Sequence, residues 1–350
     1  MSAGTQHPLS IDDRKMRWRQ FMNPAEIGMR MRLVQFDTNR PARPPLWPDK
    51  RVERTDWMVR DYHWQAEQAV WLDDDKIPHI DCLTGTEIFA EAFGCAIHRP
   101  EDNMPFALPC VHNAAEAARL KVPELSASTL ALQFELADEA LARIGAPVPL
   151  RLPDIQSPMD IAALIWEKSD FYIAMIEEPE AVRELAEKVR ALLTAFVDEW
   201  FRRYGTGYIA HFPPYWMEGG LTLSEDEVGA VNPAMYDTFF LPELEALSAR
   251  YGGLGMHCCA NAEHQWNGFR RIPGLRLLNL IQPADVIERA IPCFGNTVAH
   301  WHHVMGSDTG SGRLPQYPPE VRAVLEVHAA TREEAYRLAE ALRREAMPGG

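Results

Sequence analysis

The chain has 350 residues, with 35 Lys and Arg against 50 Asp and Glu, a net charge of −15, and 47% apolar residues. This balance fits a soluble globular protein of one to three domains and excludes a nucleic-acid partner, whose phosphates demand a basic face. No run of about 18 apolar residues occurs, so no membrane-spanning helix is expected.

A first helix is predicted at 12–21, in a leading segment with no apolar stretch of the kind a secretory signal needs. Residues 40–48, RPARPPLWP, read as an extended arm. Trp57, Trp64 and Trp71 recur every seven residues and make a helical stripe better suited to packing than to binding. Asp73, Asp74 and Asp75 follow it; they lack the spacing of a calcium loop and read as a solvated helix end. Thr84-x-x-Glu87, Ser224-x-x-Glu227 and Thr331-x-x-Glu334 have the form of capping boxes.

From about residue 147 short apolar runs alternate with helical periods. Strands are predicted at 148–152, 208–212, 255–259, 275–281, 290–294 and 321–327, and a helix at 179–203, where Val182, Leu185, Val189, Leu192, Phe196 and Trp200 form one apolar stripe. Alternation of this kind implies a parallel sheet, and neither usual nucleotide-binding glycine loop is present. The expected fold is an α/β (β/α)8 TIM barrel: residues 1–74 form a helical N-terminal extension with its Pro-rich arm, and 75–350 the barrel.

Six cysteines, two of them adjacent at Cys258 and Cys259, read as reduced thiols, so a cytoplasmic location is expected. In Gly255-Met256-His257-Cys258-Cys259, at a predicted strand end, strand alternation puts His257 and Cys259 on one face. Imidazole and thiolate together suit Zn2+, whereas a packing role needs only a hydrogen-bonded histidine and two small apolar thiols. The third ligand is expected to be His328, with Cys293 as competitor. His328 leaves the ion with net charge +1, the stronger Lewis acid; a second thiolate cancels that charge. His300, Trp301, His302 and His303 read as an active-face loop or as a solvated histidine loop, and His211 as a proton carrier or as a structural histidine. His211, His300 and His302 are therefore the catalytic candidates, with Tyr215, Trp216 and Asn296 as substrate contacts.

Several stretches carry a resemblance: Asp75 to Pro78, Gly85 to Cys95, Gln156-Ser157-Pro158, Asn232-Pro233, Phe239 to Pro242, His257-Cys258-Cys259 and Gly295-Asn296. On these the chain resembles the uroporphyrinogen decarboxylase superfamily, which includes cobalamin-linked methyltransferases that use zinc. The resemblance implies a (β/α)8 barrel with a deep site at the strand C-termini. It also implies, for the methyltransferase branch, a His-x-Cys pair matched by His257 and Cys259. That branch places a distant cysteine near the final strand, where this chain has His328. The arginine-rich R-Q-A-G-R-Y signature of true decarboxylases is replaced by RPARPPLW, which disfavours a poly-carboxylate substrate. The function expected is a zinc-dependent methyltransferase-like enzyme in which a metal-activated acceptor attacks a methyl group on a corrinoid such as methylcobalamin. Its partners are then a small-molecule substrate and a corrinoid protein, and a homodimer is the expected assembly. The alternatives are a metal-free decarboxylase or lyase and a non-catalytic small-molecule binding protein.

Overall fold

The computed structural model describes residues 8–346 apart from 83, 102 and 306–314. Its strands are β1 Arg30–Gln35, β2 Ile80–Asp81, β3 Ala96–His98, β4 Phe106–Leu108, β5 Leu150–Arg151, β6 Gly207–Ile209, β7 Trp216–Glu218, β8 Leu221–Ser224, β9 Leu254–Cys258, β10 Leu275–Gln282, β11 Ala299–His300, β12 His303–Val304 and β13 Ala323–His328. One parallel path runs β1-β13-β11-β10-β9-β8, with β12 against β10; a second runs β2-β5-β6, also parallel, with β7 antiparallel on β6. A parallel bridge from Gln156 to Ser224 joins the two paths. At the other seam the Asp75 amide donates to the Arg32 carbonyl at 2.8 Å. The ring so closed is a (β/α)8 barrel, its fourth position shared by β6 and β8 and its seventh by β11 and β12.

Two helices precede most of this ring. In α1, Ile11–Phe21, the Ser10 hydroxyl accepts from the Asp13 amide at 3.1 Å, and Trp18 and Phe21 are buried. The second helix, α2, spans Arg51–Trp71 and buries Trp57. Between them β1 pairs with β13 along its whole length, Arg30 opposite Ala323 through Gln35 opposite His328. The barrel therefore starts before residue 75, and the boundary expected at residue 74 falls between its first and second strands.

The longest helix, Pro179–Tyr204, starts with Pro at its first position and ends at Gly205, whose φ of 84° suits a glycine. All six apolar stripe residues named above are buried, each burial stabilising the fold by about 1.5–3 kcal/mol. The strand expected at 290–294 is instead the end of the helix Ala284–Phe294. Its buried residues Ile287, Ala290, Ile291 and Phe294 repeat at three and four, a helical spacing that the short apolar run obscures. Thr331 caps the helix Arg332–Glu345 as expected, its hydroxyl accepting from the Glu334 amide. Ser224 and Thr84 do not cap: Ser224 ends β8, and the Thr84 hydroxyl accepts from the Asp154 amide at 2.7 Å. Nor is the aspartate run solvated throughout. Asp74 and Asp75 are buried, meeting the Arg14 and Arg17 guanidinium groups and accepting from the amides of Val34 and Arg32 respectively. They fasten α1 and β1 to the start of the second barrel position, because a buried carboxylate needs donors on all sides.

Candidate functional site

The carboxyl ends of β8 and β9 stand side by side, Ser224 opposite His257. Two residues past β8, the Asp226 carboxylate turns back toward β9, where its Oδ1 accepts from the amides of Cys259 at 2.6 Å and Ala260 at 3.3 Å. Asp226 is itself held, since the Asp160 carboxylate accepts from the amides of Asp226 at 2.8 Å and Glu227 at 2.9 Å. As a result one ligand atom from each of Asp226, His257 and Cys259 lies within 4.8 Å of the other two. His257 is buried and Cys259 exposed, so the cluster is open on the thiol side.

The His257 tautomer follows from its neighbours. Asn279 Nδ2 donates to the Trp301 carbonyl, which only accepts, so Asn279 Oδ1 faces His257 Nδ1 at 2.6 Å. Nδ1 therefore carries the proton and Nε2 keeps a lone pair. The same amide lies 3.1 Å from His303 Nδ1, leaving His303 Nε2 to donate to Glu326 Oε2 at 3.1 Å. Glu326 also accepts from Trp301 Nε1 at 2.9 Å and Gln35 Nε2 at 2.7 Å. Burial opposes its charge, but these donors and His303 hold it below the ordinary glutamate value. Burial lowers the His257 pKa against the Asn279 hydrogen bond. Burial, then the Asp226 charge, pushes the Cys259 thiol up to about 12.

Next to the cluster, at the carboxyl ends of the barrel strands, is a cavity of about 300 Å3 lined by Arg40, Arg43, Arg151, His79, Phe212, His303, Glu326 and His328, among others. Phe212 joins the two, its ring edge-on to His257 at 4.9 Å and 5.7 Å from His303. Arg151 Nη1 lies 2.6 Å from Asp81 and an Arg43 nitrogen 3.9 Å from it, so two guanidinium groups face one carboxylate. The RPAR segment thus does bring arginines to the site, although their spacing differs from the signature sought in the sequence. His79 donates from Nδ1 to the Ile77 carbonyl, and burial together with Arg151 lowers its pKa to about 4.

The candidates named from sequence divide sharply. His257 and Cys259 come together. His328 lines the cavity, 4.0 Å from Glu326, but does not join the cluster; β11 and β10 separate β13 from β9, and Asp226 takes the third place. Cys293 is half-buried within the helix Ala284–Phe294, away from any strand end. His211 Nε2 is 3.1 Å from Asp154 and one residue from Phe212, beside the cavity. Burial works against the Asp154 charge, but His211 and Gln156 hold its pKa below the ordinary value.

His300 and His302 are buried, with every ring nitrogen engaged. Leu280 N donates to His302 Nδ1, His302 Nε2 then donates to His300 Nδ1, and His300 Nε2 to the Gly295 carbonyl. They form no open histidine loop. Tyr215 is buried between Trp18 and Trp301, and Trp216 packs under Lys15 of α1. Asn296 donates to the Glu26 carbonyl and accepts from Arg322, fastening the segment after α1. None of these three lines the cavity. The sequence reading missed Asp226, Asn279 and Glu326. The last two were visible as polar residues inside apolar strands, Leu278-Asn279-Leu280 and Leu325-Glu326-Val327.

Set against known proteins, residues 74–290 match the family model described as uroporphyrinogen decarboxylase (URO-D). The chain belongs to this family. No curated protein matches the sequence. Among solved structures, a methyltransferase from Methanosarcina mazei superposes with a TM-score of 0.65 at 12% identity, covering 95% of this chain and 98% of that one. The uroporphyrinogen decarboxylase fold is thus shared over nearly the whole length, at an identity that speaks for the barrel alone.

Proposed function

We propose that this member of the uroporphyrinogen decarboxylase family is a zinc-dependent methyltransferase-like enzyme, with Asp226, His257 and Cys259 as the metal ligands. The observation that carries this reading is the convergence of carboxylate, imidazole and thiol within 4.8 Å at the rim of the barrel. The donor set fits zinc: three protein ligands of the N, S and O types leave a fourth position for a substrate, and the Asn279 bond to His257 is the outer contact that metal-bound histidines make. Zinc held there by Asp226, His257 and Cys259 would supply Lewis acidity, lowering the pKa of a thiol or hydroxyl acceptor for methyl transfer from a corrinoid.

The chain's own residues do the rest. Asn279 holds the His257 ring at Nδ1, which leaves Nε2 for the metal, and Phe212 packs edge-on against that ring at the cavity wall. Arg43 and Arg151, sharing Asp81, orient an acceptor that carries an anionic group. His211, held by Asp154, moves a proton at the cavity edge. A cavity of about 300 Å3 suits a small acceptor and is at the lower limit for ligand sites, so the corrinoid arrives on a carrier protein at the mouth. Metal analysis of protein purified without added zinc is expected to find about one zinc per chain; sub-stoichiometric metal sinks this reading.

The arginine pair also favours a second reading, a metal-free carboxy-lyase acting on a carboxylate substrate. It predicts activity untouched by a chelator and a nearly silent Cys259→Ser.

A further inference from the structure

Away from the cavity, β3 and β4 form a two-stranded antiparallel hairpin, with Ala96 opposite Leu108 and His98 opposite Phe106. Cys95 precedes β3 and Cys110 follows β4, so the pairing brings both to the open end of the hairpin. Their sulfurs are 3.5 Å apart, Cys95 donating to Cys110. Each backbone is anchored, Cys95 N donating to the Ala90 carbonyl at 3.1 Å and Cys110 N to the Ile165 carbonyl at 2.9 Å. We propose that Cys95 and Cys110 are a reversible redox pair, closed to a disulfide by a low-molecular-weight disulfide of the glutathione type.

A disulfide needs a sulfur separation of about 2.05 Å, so closure from 3.5 Å moves the sulfurs together by about 1.5 Å. Cys110 is half-buried and Cys95 buried, so the reagent reaches Cys110 first. The hydrogen bond from Cys95, opposed by burial, brings the Cys110 thiol down to about 7, and the same bond raises Cys95. At neutral pH Cys110 is therefore the nucleophile and Cys95 the resolving thiol. Cys110 Sγ attacks one sulfur of the reagent, forming a mixed disulfide and expelling one glutathione thiolate. Cys95 Sγ then attacks Cys110 Sγ and breaks the mixed bond; the second glutathione thiolate leaves and takes the proton from Cys95. Two protein thiols are oxidised and one reagent disulfide is reduced to two thiols. The product ties a loop of about 16 residues across the base of the hairpin.

The test uses the full chain, incubated with oxidised glutathione at neutral pH, alkylated after unfolding and mapped by mass spectrometry. Expected are a Cys95–Cys110 cross-linked peptide, loss of two of the six thiols through that bond, and full reversal by dithiothreitol. Cys95→Ser is expected to accumulate an unresolved glutathione adduct at Cys110, while Cys110→Ser leaves Cys95 unmodified. A stable adduct at Cys110 in the unaltered protein, or both cysteines recovered as thiols, overturns the proposal. Should either serine variant fail to fold, the peptide map of the unaltered protein decides.

Discussion

His257 and the pair His300 and His302 come from the same barrel ring, only two strand positions apart, yet their hydrogen bonding is opposite. At His257 Nδ1 is held by Asn279, which leaves Nε2 its lone pair, and the ring stands in the cluster with Asp226 and Cys259. At His300 and His302 all four nitrogens are engaged within the protein. A histidine whose every nitrogen is satisfied has nothing left for a metal or a substrate, whatever its neighbours in sequence. One with a fixed proton and a remaining lone pair is prepared as a ligand.

The contrast breaks most visibly in metal content. Both His257→Ala and Cys259→Ser are expected to drop bound zinc from about one to below one tenth per chain, measured by plasma mass spectrometry after dialysis, whereas His302→Asn leaves it unchanged. Equal loss in all three erases the distinction. A step smaller is Asn279→Ala, which frees the His257 ring. Zinc affinity in a competition titration is expected to fall about 10–100-fold, the usual cost of removing an outer contact to a metal-bound histidine. An unchanged affinity there means that packing against Phe212 alone orients the ring. Smallest at the metal is His328→Ala: although His328 was the third ligand expected from the sequence, zinc content should not move.

The barrel was legible because alternation of strands and helices, and stripes such as that of Pro179–Tyr204, are properties of neighbouring residues. That His257 and Cys259 come together was legible for the same reason, since they lie two residues apart at the end of β9. Asp226 was not, because its partnership depends on β8 and β9 being adjacent, and sequence distance carries no trace of that. His328 erred in the same way: a strand end was correctly expected there, at Ala323–His328, but the ring order puts two strands between it and His257. Tyr215, Trp216 and Asn296 look like substrate contacts in a list of residue types, whereas burial against α1 and the segment after it makes them fasteners.

The buried pair should instead betray itself through pH. Burial lowers the His300 pKa from the ordinary 6.5 to about 4, and His302 well below its ordinary value. Below pH 6.5 the unfolded chain binds protons at these positions that the folded chain refuses, so stability falls as pH falls. Each such histidine contributes a slope of about 1.4 kcal/mol per pH unit between its unfolded and folded values, and none above pH 7. His79, lowered to about 4 as well, adds to the same window. Denaturant unfolding of the metal-free protein at pH 7, 6 and 5 is expected to show this loss, with His300→Asn flattening the slope by about one proton while weakening the fold at pH 7 by about 1–3 kcal/mol, since His302 and the Gly295 carbonyl lose a partner. A variant with the slope of the unaltered protein means that His300 is protonated in the folded state; its bond to the Gly295 carbonyl would stand, but its hydrogen bond with His302 would then have to run the other way.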